Sequence, residues 1–234
     1  MTTSALSRSP RRRPHRVRRA LSTILIVAGL LLLADAATTL LWQEPVSAVY
    51  AKLQQDRLGD QLAELERAPL EPVDRRALDR LEDPGRRLAF QARALERRLD
   101  AGDAMGRIAI PGAGVDEVVV HGTGAGDLRN GPGHYPQTPL PGERGTVAVA
   151  GHRTTYGAPF RRLDDLERGD RISVSMPYGR FSYRVEQVRI VPPTATWVTR
   201  RAAYDRLVLT ACHPLYSAAQ RIVVFARLEQ ATAR

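Results

Sequence analysis

Arg206-Leu-Val-Leu-Thr-Ala-Cys212-His-Pro-Leu-Tyr-Ser-Ala-Ala-Gln-Arg221-Ile-Val-Val-Phe-Ala-Arg-Leu228 holds two β-prone runs joined by a short segment containing Pro214. The first run ends on Cys212, the one cysteine of the chain, and Arg221 opens the second run nine residues later. Short apolar runs bounded by turn residues read as strands. A solitary thiol has no disulfide partner within its own chain. In an exported protein such a thiol is a nucleophile, an intermolecular cross-linker, or an inert buried residue.

The strand-like period persists from this stretch back to about Gly106. Arg107-Ile-Ala-Ile-Pro111 and Val115–Val120 are short strands around the turn Gly112-Ala-Gly114. Gly145-Thr-Val-Ala-Val-Ala-Gly151 is a third strand and runs into His152. Arg171–Met176 and Arg180–Glu186 form a hairpin around Pro177-Tyr-Gly179. Val188–Val191, Arg206–Ala211 and Arg221–Leu228 complete a set of seven or eight. Many short strands at this spacing predict a mostly β domain, a barrel in preference to a sandwich, over residues 105–230. Gly122–Gln137 is a long Gly/Pro-rich loop of the kind that commonly carries function. The sequence has no internal repeat, P-loop or dinucleotide fingerprint.

The 234 residues carry a formal charge of +10, which by itself would suggest a nucleic-acid partner. Its distribution argues otherwise. Arg8, Arg11, Arg12, Arg13, Arg16, Arg18 and Arg19 stand in a basic arm, residues 1–20, that has no acid; the rest of the chain has 28 basic residues against 25 acidic ones. Directly after the arm, residues 21–42 form an apolar run of the length that spans a bilayer, with Gln43-Glu44 beyond it. Flanking arginines predict a cytoplasmic N-terminus and an exported remainder, at the plasma membrane, with a single pass. Trp42 suits the outer interface, and Asp35 lies well past the midpoint, where a carboxylate costs least. A cleaved signal peptide with Ala34-Asp35-Ala36 as its processing site is the competing reading, and Leu40-Leu41-Trp42 argues for the anchor. Topology explains the arm, so no nucleic-acid partner is expected.

Residues 43–104 read as a helical stalk. Leu58, Leu62 and Leu65 recur at helical spacing, as do Leu88, Ala92, Leu95 and Leu99. Pro69 and Pro72 separate two helices, and Asp83-Pro84-Gly85 breaks the second. The narrow apolar stripes predict a solvated spacer in preference to a dimerising coiled coil, with the second helix able to lie on the downstream domain.

Three residue types at strand ends suffice for acyl transfer: Cys212, His152 and Arg221. A thiol with a pKa of ~8.5 needs help to attack a carbonyl at neutral pH. An imidazole supplies it and later protonates the leaving amine. A guanidinium stabilises the oxyanion that forms in between. His15 lies in the arm, His121 and His134 in or near the long loop, and His213 points away from Cys212 in an extended chain. His152, at a strand end, is the candidate by position. One cysteine and scattered histidines offer no metal-ligand cluster, so no cofactor is expected, and no acidic grouping assigns calcium.

Gly106-Arg-Ile-Ala-Ile-Pro111, Gly145-Thr-Val-Ala-Val-Ala-Gly-His-Arg153 and Leu207-Val-Leu-Thr-Ala-Cys-His-Pro214 with Arg221 resemble the sortases, cysteine transpeptidases that attach secreted proteins to Gram-positive cell walls. The Cys-His-Pro sequence and Ser217-Ala-Ala-Gln-Arg221-Ile-Val-Val are most similar to the class E members of actinobacteria. The resemblance covers residues 104–230. It implies an eight-stranded β-barrel with Cys212 as nucleophile, His152 as general acid/base and Arg221 as oxyanion and substrate stabiliser. It also implies cleavage of a Leu-Pro-x-Thr-Gly or Leu-Ala-x-Thr-Gly sorting signal between Thr and Gly through a thioacyl enzyme. The implied partners are secreted proteins bearing such signals, an amine from a peptidoglycan precursor, and the membrane. Where the family commonly has Thr before the cysteine, this chain has Ala211.

Other readings stay open at this point. They are a pilin-polymerising sortase, an anchored β-domain that binds cell wall or protein without catalysis, and an L,D-type transpeptidase. The last characteristically carries Ser-His-Gly-Cys, which Thr210-Ala-Cys212-His does not match.

Overall fold

The structure, a computed structural model, describes residues 14–41 and 45–234, in two units that divide after residue 44. The first holds one helix, α1 (Pro14–Leu41). Successive side chains from Ile24 to Val27 and from Leu30 to Leu33 are all exposed, Leu32 by 70%, so the apolar surface runs right round the helix. Among the described residues no helix is long and apolar enough to cross a membrane. The span expected over 21–42 includes residues 35–42, whose side chains lie outside the described residues. So do residues 1–13 of the arm and Gln43-Glu44.

The second unit begins with three helices, α2 (Pro45–Arg67), α3 (Pro72–Leu78) and α4 (Pro84–Glu96). The helices break where the prolines predict: Pro69 lies between α2 and α3, and Pro72 and Pro84 open the helices after the breaks. Pro72 and Pro84 occupy first-turn positions, where the missing N–H costs nothing. Asp83 caps α4 by accepting from Arg86 N–H at 2.7 Å.

α2 differs from the solvated spacer expected of residues 43–104, while α4 lies on the downstream domain, as the sequence allows for the second helix. Leu88, Ala92 and Leu95 of α4 belong to the main core, and Leu58 and Leu62 of α2 are buried against Ala104, Val118 and Val120. Burying each leucine contributes roughly 1.5–3 kcal/mol, enough to hold a stripe against a ready apolar surface. Gln55 adds a polar tie. Its Oε1 accepts from Val118 N–H at 2.7 Å, while Nε2 donates to the Val118 carbonyl at 3.1 Å. The carboxamide thus pairs with a strand edge as another backbone would.

Eight strands follow: β1 (Ala104–Ile110), β2 (Val115–His121), β3 (Gly133–His134), β4 (Thr146–Ala150), β5 (Arg171–Met176), β6 (Gly179–Val191), β7 (Arg206–His213) and β8 (Gln220–Ala233). They close into a barrel in the order β1-β2-β3-β4-β7-β8-β6-β5. Pairs β2/β3 and β4/β7 are parallel, and the other pairs are antiparallel. The expected barrel is present, with two corrections. The runs predicted as separate strands over 180–186 and 188–191 are one strand, β6, whose register shifts between Val185 and Gln187 without breaking its pairing with β8. The predicted loop 122–137 contains β3 and a short helix, α5 (Ala125–Leu128). A two-residue strand is too short to show a period in sequence.

Candidate active site

Alternation along β7 decides which of its residues meet the site. Leu207, Leu209 and Ala211 belong to the barrel core, whereas Val208 packs with Ala148, Val223 and Phe225 in a separate cluster on the outer face. Thr210 and Cys212 share that outer face. Cys212 is half-buried and stands directly opposite Arg221 in the β7/β8 ladder. Opposed residues project from one face with Cβ atoms about 5 Å apart.

On the other side of β7, β4 runs parallel with Ala150 abreast of Thr210. The pairing continues for one more bond, from Gly151 N–H to the Thr210 carbonyl at 3.0 Å. His152 follows directly after this last bond, on the side of β7 away from β8. Of the three residues singled out in the sequence, Cys212 and Arg221 are thus cross-strand partners, and His152 follows two residues after the end of β4, the strand on the other side of β7. His213 faces the opposite way, as alternation predicts.

The departure at Ala211 falls on the inner side. Its side chain is buried in the barrel core and does not line the outer face. Thr210 is the outward threonine, and its hydroxyl shares a 3.0 Å hydrogen bond with Tyr135 Oη.

Local geometry fixes His152 from several directions. Its carbonyl accepts from Phe160 N–H at 2.9 Å. A Cβ at Gly151 would come within 2.5 Å of the Phe160 ring, so only glycine permits this approach. The next turn places Tyr156 and Ala158 in the left-handed region, at φ 51° and 44°, a strained conformation for residues with a Cβ. It brings the Tyr156 ring to 5.3 Å from the imidazole. Tyr50 of α2 lies edge-on to Tyr156 at 6.5 Å, and the Arg129 guanidinium sits 5.7 Å over the same ring.

Electrostatics favour a neutral imidazole. Burial holds the His152 pKa below its ordinary value, and the positive charge of Arg129 lowers it further. A neutral imidazole accepts a proton. Arg221 is held by Nη1, which donates to the carbonyls of Ala218 at 3.0 Å and Gln220 at 2.9 Å. Its Nε and Nη2 hydrogens make no bond among the described residues.

Behind the sheet lies a contact that the sequence reading missed. Arg153, 2% exposed, donates from Nε and Nη2 to the Arg161 carbonyl at 3.2 and 2.9 Å and from Nη2 to Asp164 Oδ1 at 2.6 Å. Its Nη1 reaches His213 Nδ1 at 3.1 Å. The alternation that turned His213 away from Cys212 applies equally to Arg153 after His152, and that was the available signal. Tyr50, Tyr156 and Arg129 gave no local signal, because they meet only through the tertiary fold.

His121 and His134 take no part in this cluster. They form a buried pair, with Nδ1 atoms 3.4 Å apart. His134 Nε2 lies 3.2 Å from the Pro139 carbonyl, which can only accept, so Nε2 carries the proton. Desolvation lowers its pKa to about 4.

Comparison with known proteins agrees with this architecture. The sortase domain model matches residues 108–229. Sortase D of Bacillus subtilis is 33% identical over 132 residues, a match covering 55% of this chain and 65% of that protein. Sortase SrtE2 of Streptomyces coelicolor is 25% identical over 93% of this chain and 86% of its own length. Sortase E of Streptomyces avermitilis superimposes with a TM-score of 0.52 at 31% identity, covering 57% of this chain and 93% of that one. A Clostridium perfringens sortase of the D type, 23% identical, shares the fold with a TM-score of 0.60 over 76% of this chain and 99% of its own. The relatives thus include both D and E types.

Proposed function

Because the chain belongs to the sortase family, whose domain covers residues 108–229, we propose that it is a membrane-anchored cysteine transpeptidase acting on C-terminal sorting signals of the Leu-Pro-x-Thr-Gly or Leu-Ala-x-Thr-Gly type. The reading rests on Arg221 standing directly across β7/β8 from Cys212, and on His152 following two residues after the end of β4, the strand on the other side of β7. The relatives of both types in other bacteria support the reaction class.

In the proposed reaction, Cys212 Sγ loses its proton to His152 and attacks the threonine carbonyl. Arg221 stabilises the oxyanion with its Nε and Nη2 hydrogens, a contribution of roughly 10²–10³ in rate for one such donor. The C–N bond to glycine breaks as His152 returns the proton to the leaving amine, and a thioester remains. An incoming amine then gives its proton to His152 and attacks the thioester. A new amide forms, and the thiolate regains the proton. A peptidoglycan precursor fits the role of acceptor, since it presents an amine at the outer membrane surface. The helix α1, whose exposed side chains from Ile24 to Val27 and from Leu30 to Leu33 are apolar all round, supports anchoring through residues 21–42 with the catalytic unit outside.

The test is cleavage of paired peptides carrying the two motifs, with Cys212→Ala alongside. Absence of cleavage of either peptide by folded protein would sink the transpeptidase reading. Equal cleavage by the Cys212→Ala variant would sink the role of the thiol.

A further inference from the structure

The residues that follow the two proton-exchanging groups are bonded to each other. Arg153 follows His152 and His213 follows Cys212, and Arg153 Nη1 lies 3.1 Å from His213 Nδ1 on the side of the sheet away from the thiol. A guanidinium can only donate, so His213 Nδ1 accepts and its proton resides on Nε2. Arg153 uses its remaining fork to close its own loop, on the Arg161 carbonyl and Asp164. That loop also carries Phe160, whose N–H holds the His152 carbonyl. The side chain of Arg153 is almost wholly buried, whereas Asp164 stays half-exposed, so a desolvated cation depends on these four bonds.

We propose that Arg153 and His213 are a positioning pair that locks the end of β4 to the end of β7 and so sets the separation of His152 from Cys212. The proposal rests on the transpeptidase reading above for its kinetic consequence alone. Beyond Gly151 N–H to the Thr210 carbonyl, the β4/β7 ladder has no further backbone bond. His152 and Cys212 therefore sit just past the last rung, where two strand ends are free to diverge. The Arg153–His213 bond supplies the missing rung from behind. Neither side chain faces the thiol, so neither is a catalytic residue. Their effect on rate comes through alignment, and displacements of about 1 Å in such a pair cost up to ~10²-fold.

The test uses the full chain in detergent, comparing His213→Leu, His213→Asn and Arg153→Lys with the unaltered protein. Asparagine Oδ1 accepts from a position close to that of Nδ1, while leucine keeps the bulk and removes the acceptor. We expect His213→Leu to lower kcat for sorting-peptide cleavage by roughly 10- to 100-fold with KM within about twofold, and His213→Asn to recover most of the loss. Iodoacetamide alkylation of Cys212 gives a readout that needs no substrate, and it should slow several-fold in His213→Leu and recover in His213→Asn. Wild-type kcat and alkylation rate in folded His213→Leu overturn the proposal, and so does an asparagine variant as slow as the leucine one. If the unaltered chain cleaves no sorting peptide, the functional reading fails while the alkylation rates still decide the pair. Arg153→Lys, with no planar fork, should behave like His213→Leu if it folds, and its burial makes the histidine variants the deciding ones.

Discussion

Cys212 and Arg221 are direct cross-strand partners, the last rung but one at the end of the β7/β8 ladder where the chain turns. The pairing is a consequence of register: a slip of one residue in β8 would send the guanidinium to the inner face. Arg221→Lys keeps the charge but loses the fork. We predict a fall in kcat/KM of roughly 10²-fold, measured on a sorting peptide, with iodoacetamide reactivity of Cys212 within about twofold of the parent.

Arg129 acts on His152 through its charge, secondary to burial. Removing a like charge favours the protonated imidazole, so Arg129→Gln should move the His152 titration upward. Because desolvation remains, the new value should still lie below that of a free histidine. NMR titration of the His152 ring in the two proteins tests this, and a downward or null movement would contradict it.

Gly151 lies against the Phe160 ring, with no room for a methyl group. Gly151→Ala must shift either the ring or the end of β4, at a cost of roughly 1–3 kcal/mol. We expect a lower urea midpoint together with a kcat loss larger than the folded fraction explains, because the displaced backbone carries His152.

His134 is neutral and buried, with a pKa of about 4 against an unfolded value of 6.5. Between these values the unfolded chain binds the proton more readily. Stability is therefore fully present above about pH 6.5 and declines as pH falls towards 4, by roughly 3 kcal/mol at the limit. Urea unfolding at pH 7 and pH 5 should show the decline, and His134→Gln should flatten it even if its stability at pH 7 is lower.

Leu62 of α2 is buried against Val118 and Val120 of the barrel. Leu62→Ala should cost roughly 2–5 kcal/mol. A chain starting at Ala104 should lose more, since Gln55 and Tyr50 leave with the helix. Chemical denaturation of the three proteins checks the order, and equal stability would return α2 to the status of a spacer.

Much of this protein is legible in one dimension. Alternating β-prone runs announce the barrel, because burial of one face imposes a period of two. The strand-end positions of His152, Cys212 and Arg221 follow from the same runs, and sequence alternation alone turns His213 away from the thiol. The seven arginines of the arm and the apolar run after them predict topology without reference to any fold. Three things were decided only in three dimensions. The helices over 45–96 look like a solvated stalk because a narrow leucine stripe reads identically whether water or a barrel covers it; Val118 and Val120 under α2, and the main core that takes up Leu88, Ala92 and Leu95 of α4, decide the matter. Ala211 reads as a lost substrate contact until the register sends it inward. The bond from Arg153 to His213 joins residues distant in sequence whose partnership exists only because β4 and β7 lie side by side, and no local preference of either residue encodes it. Short-range periodicity fixes which face a side chain takes, while long-range strand pairing fixes whom it meets there.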